Sequence, residues 1–298
     1  MINHHESVFL AGCAPFHDLC FVAKQADELS GQQVSNSTIL GLDAGAWAKF
    51  PTSVGWPAVA SATIKPAGQN RTLVFIGADK DVWEADTQTI TETVGEIGEA
   101  QFPLASLTAI GDVIFACGMG REVLRRDAPG SWQRIGPPLG ADETGIIGFE
   151  DMAGYSTEEM YAVGWGGEIW LCERGAWRRI DSPVSAHLNA VCCAPDGWVY
   201  VVGDGGTLLR GRGDVWAVFD TGRQESLQDV CAFDGIVFVV SDFRILCLDG
   251  EALVPDTRFK GADRPANCLR LMPADGGVVS MGPKDLYLFH DGHWASLI

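Results

Sequence analysis

The sequence predicts an all-β protein that folds as a seven-bladed β-propeller of four-stranded antiparallel blades. Three observations favour this fold. A pattern recurs every 37 to 45 residues, short apolar runs alternate with glycine-rich turns, and the apolar residues do not follow the 3.6-residue period of helices. Four short strands repeated at this spacing are typical of propeller blades around a central channel. A six-bladed ring is the alternative.

The repeat is clearest in three segments that align with one another: 113–135, 160–180 and 199–219. Each contains an apolar run, a glycine-rich turn, a second apolar run, another turn and a tryptophan that opens a third run. Weaker copies of the unit occupy 37–50, 74–94, 237–255 and 278–298. A further short apolar run precedes the matched part of each unit, which gives four strands per blade.

The seven units fill one domain that spans residues 1–298. The predicted blades are 6–50, 57–94, 103–136, 144–181, 187–220, 226–255 and 266–298. The residues predicted to be equivalent at the start of the last strand are Trp47, Ile90, Trp132, Trp177, Trp216, Leu253 and Trp294. We expect Trp132, Trp177 and Trp216 to be largely buried between blades. The chain starts on an innermost strand and ends on an outermost one, so the termini are not expected to share a blade.

The segments 164–177 (GWGGEIWLCERGAW) and 203–216 (GDGGTLLRGRGDVW) carry a family resemblance. They resemble propellers of the neuraminidase-repeat superfamily, and among these the photosystem II assembly-factor type. Those repeats combine an apolar strand, a turn with two spaced glycines, a second strand and a turn that ends in tryptophan. The resemblance implies the fold and leaves the activity open, because one fold hosts many functions.

The charge of the chain narrows the classes of partner. There are 39 acidic and 21 basic residues, so the formal net charge is −18. Such a surface repels phosphate groups, which disfavours binding to nucleic acid or to anionic membranes. A basic protein partner fits this charge better, and we expect a monomer in the absence of that partner.

The cysteines and histidines predict neither a cofactor nor a metal. The nine cysteines include no C-x-x-C pair and most lie in apolar runs, so we expect reduced, buried thiols and a cytoplasmic location. Residues 10–13 match a bacterial lipoprotein box, but the residues before them lack the basic and apolar segments of a signal peptide. His290 and His293 have metal-like spacing, yet Asp-Gly between them indicates a strand turn.

One face of the propeller is predicted to bind the partner. The turns between second and third strands and the connectors between blades should share this face. The candidate binding residues there are Asp79, Asp81, Glu96, Glu99, Asp142, Glu143, Trp165, Asp204 and Phe243. Carboxylates would steer a basic partner, and the two aromatic residues at turn tips would act as interface anchors.

These features predict a non-catalytic protein that binds a protein partner. It would be an immunity or inhibitor-type protein that caps a basic effector, such as a nuclease toxin, or an assembly-factor scaffold. The alternative is a carbohydrate-active enzyme or lectin of the sialidase type, for which Tyr155 beside Glu158 and Glu159 is the loop candidate. That alternative requires an axial pocket lined by acids and aromatic residues, whereas a protein binder needs a broad charged face.

Overall fold

Seven four-stranded antiparallel sheets surround a central channel in a computed structural model, which describes residues 6–139 and 147–298. The strands of every sheet are adjacent in chain order, and the first strand of each sheet lines the channel. The first strands of neighbouring sheets contact one another all the way round, including the last sheet with the first. The prediction of an all-β, seven-bladed propeller is therefore confirmed.

In the part of the chain that the structure describes, the first four blades contain sixteen strands and one short α-helix. Blade 1 is β1 (Ser7–Phe16), β2 (Leu19–Ala26), α1 (Asp27–Gly31), β3 (Ser37–Asp43) and β4 (Ala46–Val54). Blade 2 is β5 (Ala58–Ile64), β6 (Thr72–Gly77), β7 (Asp81–Asp86) and β8 (Thr91–Glu96). Blade 3 is β9 (Leu104–Ile110), β10 (Val113–Gly118), β11 (Glu122–Ala128) and β12 (Ser131–Arg134). Blade 4 is β13 (Phe149–Ser156), β14 (Glu159–Gly164), β15 (Ile169–Glu173) and β16 (Ala176–Ile180).

The last three blades repeat the same order. Blade 5 is β17 (Leu188–Cys193), β18 (Val199–Gly203), β19 (Leu208–Arg212) and β20 (Val215–Val218). Blade 6 is β21 (Leu227–Phe233), β22 (Ile236–Ser241), β23 (Arg244–Asp249) and β24 (Ala252–Pro255). Blade 7 is β25 (Arg270–Ala274), β26 (Gly277–Met281), β27 (Leu286–His290) and β28 (His293–Ser296). Within the described residues, no helix is long and apolar enough to cross a membrane.

The core lies between the blades rather than inside each one. Second strands such as β18 are buried along their whole length, because a neighbouring blade covers each face of the sheet. A strand buried on both faces reads as a continuous apolar run, which is why these segments stand out in the sequence. Fourth strands such as β20 are mostly exposed, since they form the outer rim.

The residues predicted to be equivalent occupy the second position of the outer strand in six blades. Trp132, Trp177 and Trp216 are equivalent as predicted, but only Trp132 is buried among these three and the others are half-buried. Ile90 is not equivalent to them: it lies in the turn before β8 with 45% of its surface exposed. Its turn is longer than the corresponding turns, so Glu92 takes the second position and accepts a hydrogen bond from the Thr52 amide.

The ring closes through contacts between blade 7 and blade 1, each of which consists of four consecutive strands. The Phe9 amide donates to the Pro283 carbonyl at 2.8 Å, and the His17 amide donates to the Asp275 carbonyl at 2.9 Å. An ion pair joins Lys284 to Asp27 at 2.5 Å. Within residues 6–139 and 147–298, neither blade takes a strand from the other end of the chain, in agreement with the order of the repeats.

All nine cysteines lie within the described residues, and each has a free thiol, as predicted. Most pack among apolar neighbours in the cores between blades. Burial raises the pKa of the Cys20 and Cys268 thiols to about 12, and raises that of Cys231 well above its ordinary value. The thiolate is therefore disfavoured, and these cysteines act as small apolar residues.

Candidate partner-binding face

The alternation of strand direction defines two faces. Turns between second and third strands lie at the same end of the blades as the connectors between blades, and we call this end the upper face. Turns between first and second strands and between third and fourth strands form the lower face. The prediction of the binding residues assumes that these turns and connectors share a face, and they do so here.

Three of the predicted carboxylates form a cluster on the upper edge of blade 2, the Asp79–Asp81–Glu96 cluster. Asp81 at the start of β7 stands directly opposite Glu96 at the end of β8, and Asp79 precedes them in the turn. Like charges placed opposite each other on paired strands are destabilising. Burial raises the pKa of Asp81, and the charges of Asp79 and Glu96 raise it further.

No basic side chain within the described residues forms an ion pair with any of these three carboxylates. The negative charge of the cluster is therefore not offset internally, and a cation from a partner would relieve the repulsion. Glu99 is also exposed and lies on the connector to blade 3, which extends the acidic surface toward that blade.

The other described candidates lie on blades 4 to 6, across the channel from blade 2. Asp204 follows β18, and its carboxylate accepts hydrogen bonds from Ser226 at 2.8 Å and Asn189 at 3.3 Å. Phe243 follows β22 and is 67% exposed. Asp142 and Glu143 lie outside the described residues. The predicted residues thus form two groups on one face and not a single patch.

Trp165 is less exposed than a free interface anchor would be. It is half-buried, with its ring centroid 4.2 Å from that of His187, whose Nε2 lies 3.4 Å from a Glu150 carboxylate oxygen. Its indole N–H is buried and has no hydrogen-bond partner among the described residues. Phe243 is accordingly the more accessible of the two predicted aromatic anchors.

Acidic side chains also occur on the lower face, at Asp18, Asp112, Glu158, Asp196, Asp234 and Asp275. Net charge by itself therefore does not distinguish the two faces. Opposed carboxylates occur on both faces: Asp81 opposite Glu96 on the upper face and Glu159 opposite Glu173 on the lower one. The lower two form ion pairs with Arg212 and Arg178, whereas the Asp79–Asp81–Glu96 cluster has no ion pair within the described residues, and this sets the upper face apart.

Two buried ion pairs on the upper and outer parts of the ring were missed from the sequence. Arg121 donates to both oxygens of Glu168, at 2.7 and 2.6 Å, and both side chains are almost fully buried. Arg126 does the same with Glu84, at 3.1 and 2.8 Å. Each pair joins neighbouring blades. Because Arg121 is paired with Glu168, its charge does not offset the exposed carboxylates of the upper face.

The central channel has a volume of about 570 Å³, and six blades line it near its upper end with one residue from an equivalent position. These residues are Ala11, Ala60, Ser106, Asp151, Asp229 and Arg270. The equivalent residue of blade 5, Ala190, lies in the core between blades instead. The carboxylate of Asp229 accepts from the Leu271 amide of blade 7 at 2.8 Å, and burial raises its pKa to about 7. Asp151 likewise accepts from the Val191 amide of blade 5 at 3.0 Å, so both acids brace adjacent blades.

The channel does not provide what the sialidase alternative requires. Acids line it, but no aromatic side chain is among the described residues that do so. Tyr155 lies outside that lining, with the Arg212 guanidinium 4.3 Å above its ring.

The His17 and His290 rings are stacked 4.1 Å apart, and no metal-ligand cluster occurs within residues 6–139 and 147–298.

No protein-family model matches the chain. The chain is similar to the immune protein Tsi7 of Pseudomonas aeruginosa, with 32% identity over 302 residues, 97% of this chain and 96% of that protein. The chain belongs to the Tsi7 immune protein family.

Solved structures show the same fold. A structure of YCF48 bound to D1 peptide matches 95% of this chain and 91% of its own, with 14% identity and a TM-score of 0.66. YCF48 from Cyanidioschyzon merolae matches 96% of both chains, with 11% identity and a TM-score of 0.70. YCF48 is a photosystem II assembly factor, so the resemblance to propellers of that type is confirmed at the level of fold.

The relationship to an immune protein supports the prediction of a non-catalytic protein, since an immune protein is not an enzyme. An acylaminoacyl peptidase is also similar, at 13% identity and a TM-score of 0.63. This chain covers 53% of that peptidase, and a likeness at such low identity concerns the fold alone.

Proposed function

We propose that this protein is an immunity protein that binds and neutralises a basic protein effector through its upper face. The observation that carries the proposal is the relationship to an immune protein over almost the whole of both chains. The whole propeller is shared, so the proposed role belongs to the ring and not to an added domain. The free thiols support the further proposal that the protein acts in the cytoplasm, where thiols stay reduced.

The Asp79–Asp81–Glu96 cluster supports a basic partner. Its carboxylates repel one another in the free protein, so a lysine or arginine from the partner gains attraction and also relieves that repulsion. Phe243, at 67% exposure, supplies an aromatic anchor on the far side of the channel mouth. A partner that reaches both groups would cover the upper end of the channel.

An assembly-factor scaffold is the second candidate function. The similarity to YCF48 favours it, because one of those structures contains a bound peptide. At 14% identity this similarity concerns the fold, whereas the relationship to the immune protein is one of family. The immunity function therefore ranks first.

We expect the triple variant Asp79→Lys, Glu96→Lys and Glu99→Lys to associate with the partner at least tenfold more slowly at low salt. All three side chains are exposed and act through long-range attraction, which governs the association rate more than the dissociation rate. The partner is first captured from the native host, identified and purified. Association rates are then measured by stopped-flow at two salt concentrations, and the variant should show the weaker salt dependence.

A lower-face variant with Asp18→Lys, Asp112→Lys and Glu158→Lys is the matched control. It changes the net charge by the same amount, and these three side chains are also exposed. If both triple variants slow association equally, the partner responds to total charge and the upper face is not the binding site. If neither does, the attraction between an acidic face and a basic partner is absent.

A further inference from the structure

The outer rim of a propeller presents one free strand edge per blade. An exposed edge carries unpaired N–H and C=O groups that can pair with another chain, and natural proteins block such edges with charged residues or proline. Six of the outer strands here contain such residues or a histidine: Lys49 and Pro51, Glu92 and Glu96, Arg134, Arg178 and Arg179, Pro255, and His293. The fourth strand of blade 5, β20, reads VWAV and contains none.

The apolar residues of β20 are unusually accessible. Val215 is 72% exposed and Val218 is 52% exposed. The next residue, Phe219, donates its amide to the Leu208 carbonyl of β19 at 2.9 Å. Because successive residues of an antiparallel strand alternate in direction, the N–H groups of Val218 and Trp216 point away from the blade. Among the described residues, none pairs with the outer edge of β20, and the strand itself contains no charged residue or proline that would discourage pairing.

Acidic residues stand at both ends of this apolar edge. Asp214 precedes β20 and Asp220 follows it shortly after, and both are exposed. Asp214 and Glu173 share an ion pair with one guanidinium, that of Arg178, so this group of three side chains keeps one net negative charge. Beside the lower end lies a cleft of about 750 Å³ between blades 4 and 5, whose lining includes Trp198, Glu173 and Asp196. Trp198 is 40% exposed. The rim therefore offers a short apolar edge between negative ends.

We propose that the edge of β20 pairs with an extended segment of a protein partner that carries apolar residues between terminal lysines or arginines. The segment would become a fifth strand of blade 5. Backbone hydrogen bonds along the edge supply the affinity, and the flanking acids select basic ends. This site goes beyond the proposed function, because it lies on the rim and not on the upper face. A second copy of the chain is a poorer occupant, since each copy carries a net charge of −18.

The test uses two fluorescent peptides, Lys-Val-Thr-Val-Thr-Val-Lys and its counterpart with glutamate at both ends. Val218→Pro removes an outward N–H and leaves the ladder to β19 intact, which edge strands tolerate. Val94→Pro is the matched control on β8, where Val94 is 51% exposed and its N–H also points outward, because the Ile97 amide donates to the Lys80 carbonyl. Binding is followed by fluorescence anisotropy.

We expect the wild type and Val94→Pro to bind the lysine peptide equally, Val218→Pro to bind it at least tenfold more weakly, and the glutamate peptide to bind poorly. Val215→Lys, which keeps every backbone N–H, should also weaken binding, and circular dichroism verifies that each variant is folded. Equal binding by all variants, or no binding by the wild type, overturns the proposal. A concentration-dependent dimer that Val218→Pro abolishes in sedimentation velocity would assign the edge to a second copy, and so also overturns it. None of these outcomes depends on the upper face.

Discussion

Glu84→Leu is expected to lower the free energy of unfolding by about 3 to 5 kcal/mol, because it leaves the buried Arg126 guanidinium without its carboxylate. The side chains of Arg126 and Glu84 are 7% and 4% exposed, and two hydrogen bonds join them. Taking a charge out of water is costly unless a partner compensates it, so breaking such a pair costs far more than breaking a surface pair. The pair connects β11 of blade 3 to β7 of blade 2, so the loss should weaken that blade interface.

Urea unfolding of three variants measures this effect. The double variant with Glu84→Leu and Arg126→Met should recover most of the lost stability, since it removes both charges and keeps apolar volume. Asp127→Ala breaks the exposed pair with Arg125, whose side chains are 42% and 41% exposed, and should cost less than about 1 kcal/mol. If Glu84→Leu is no less stable than Asp127→Ala, water reaches the Arg126 guanidinium and the account of this pair is wrong.

Gly206→Ala is expected to destabilise the protein by about 3 kcal/mol, and Gly205→Ala by about 1 kcal/mol. Both glycines have left-handed backbone angles, with φ of +73° and +65°. A Cβ on Gly206 would lie 2.4 Å from the Arg223 carbonyl oxygen of the connector to blade 6, whereas a Cβ on Gly205 meets nothing within 4 Å. The two substitutions share the conformational penalty and differ in the steric clash.

Thermal unfolding and urea unfolding of the two variants give the comparison directly. Equal losses of stability in Gly205→Ala and Gly206→Ala would show that the connector to blade 6 moves aside. Gly206 would then be needed for its backbone angle alone. The same reasoning applies to Gly167 in blade 4, where a Cβ would lie 2.2 Å from the Val184 carbonyl oxygen. The clash explains why the paired glycines recur in the sequence at the same point of both repeats.

The fold could be predicted because its determinants are local and repeated. Three features of blade 5 each depend on only a few neighbouring residues: the glycine pair at Gly205 and Gly206, the buried run of β18 and the tryptophan at the start of β20. Because such features recur from blade to blade, each copy supports the prediction of the others. Where a unit departs from the consensus, prediction failed. The longer turn before β8 moved Ile90 out of the predicted position, and Glu92 replaced it with a hydrogen bond to the preceding blade.

The candidate site was harder to predict because it depends on contacts between blades. The sequence was sufficient to predict that Asp79 and Glu96 lie on the upper face, but the direct opposition of Asp81 and Glu96 follows from strand register. Arg121 and Glu168 are 47 residues apart, and nothing local to either indicates that they form a buried pair. Trp165 was predicted as an exposed anchor, and its packing against His187 follows from the path of the connector between blades 4 and 5.

Hydrogen–deuterium exchange of the protein with and without its purified partner tests most directly whether the upper face is the binding site. The account predicts slower exchange in the complex for upper-face segments 78–80, 97–103, 204–207 and 242–243, which come from both sides of the channel mouth. Lower-face turns such as 111–112 and 234–235 should exchange as in the free protein. Protection confined to those lower turns, with the upper segments unchanged, would contradict the account.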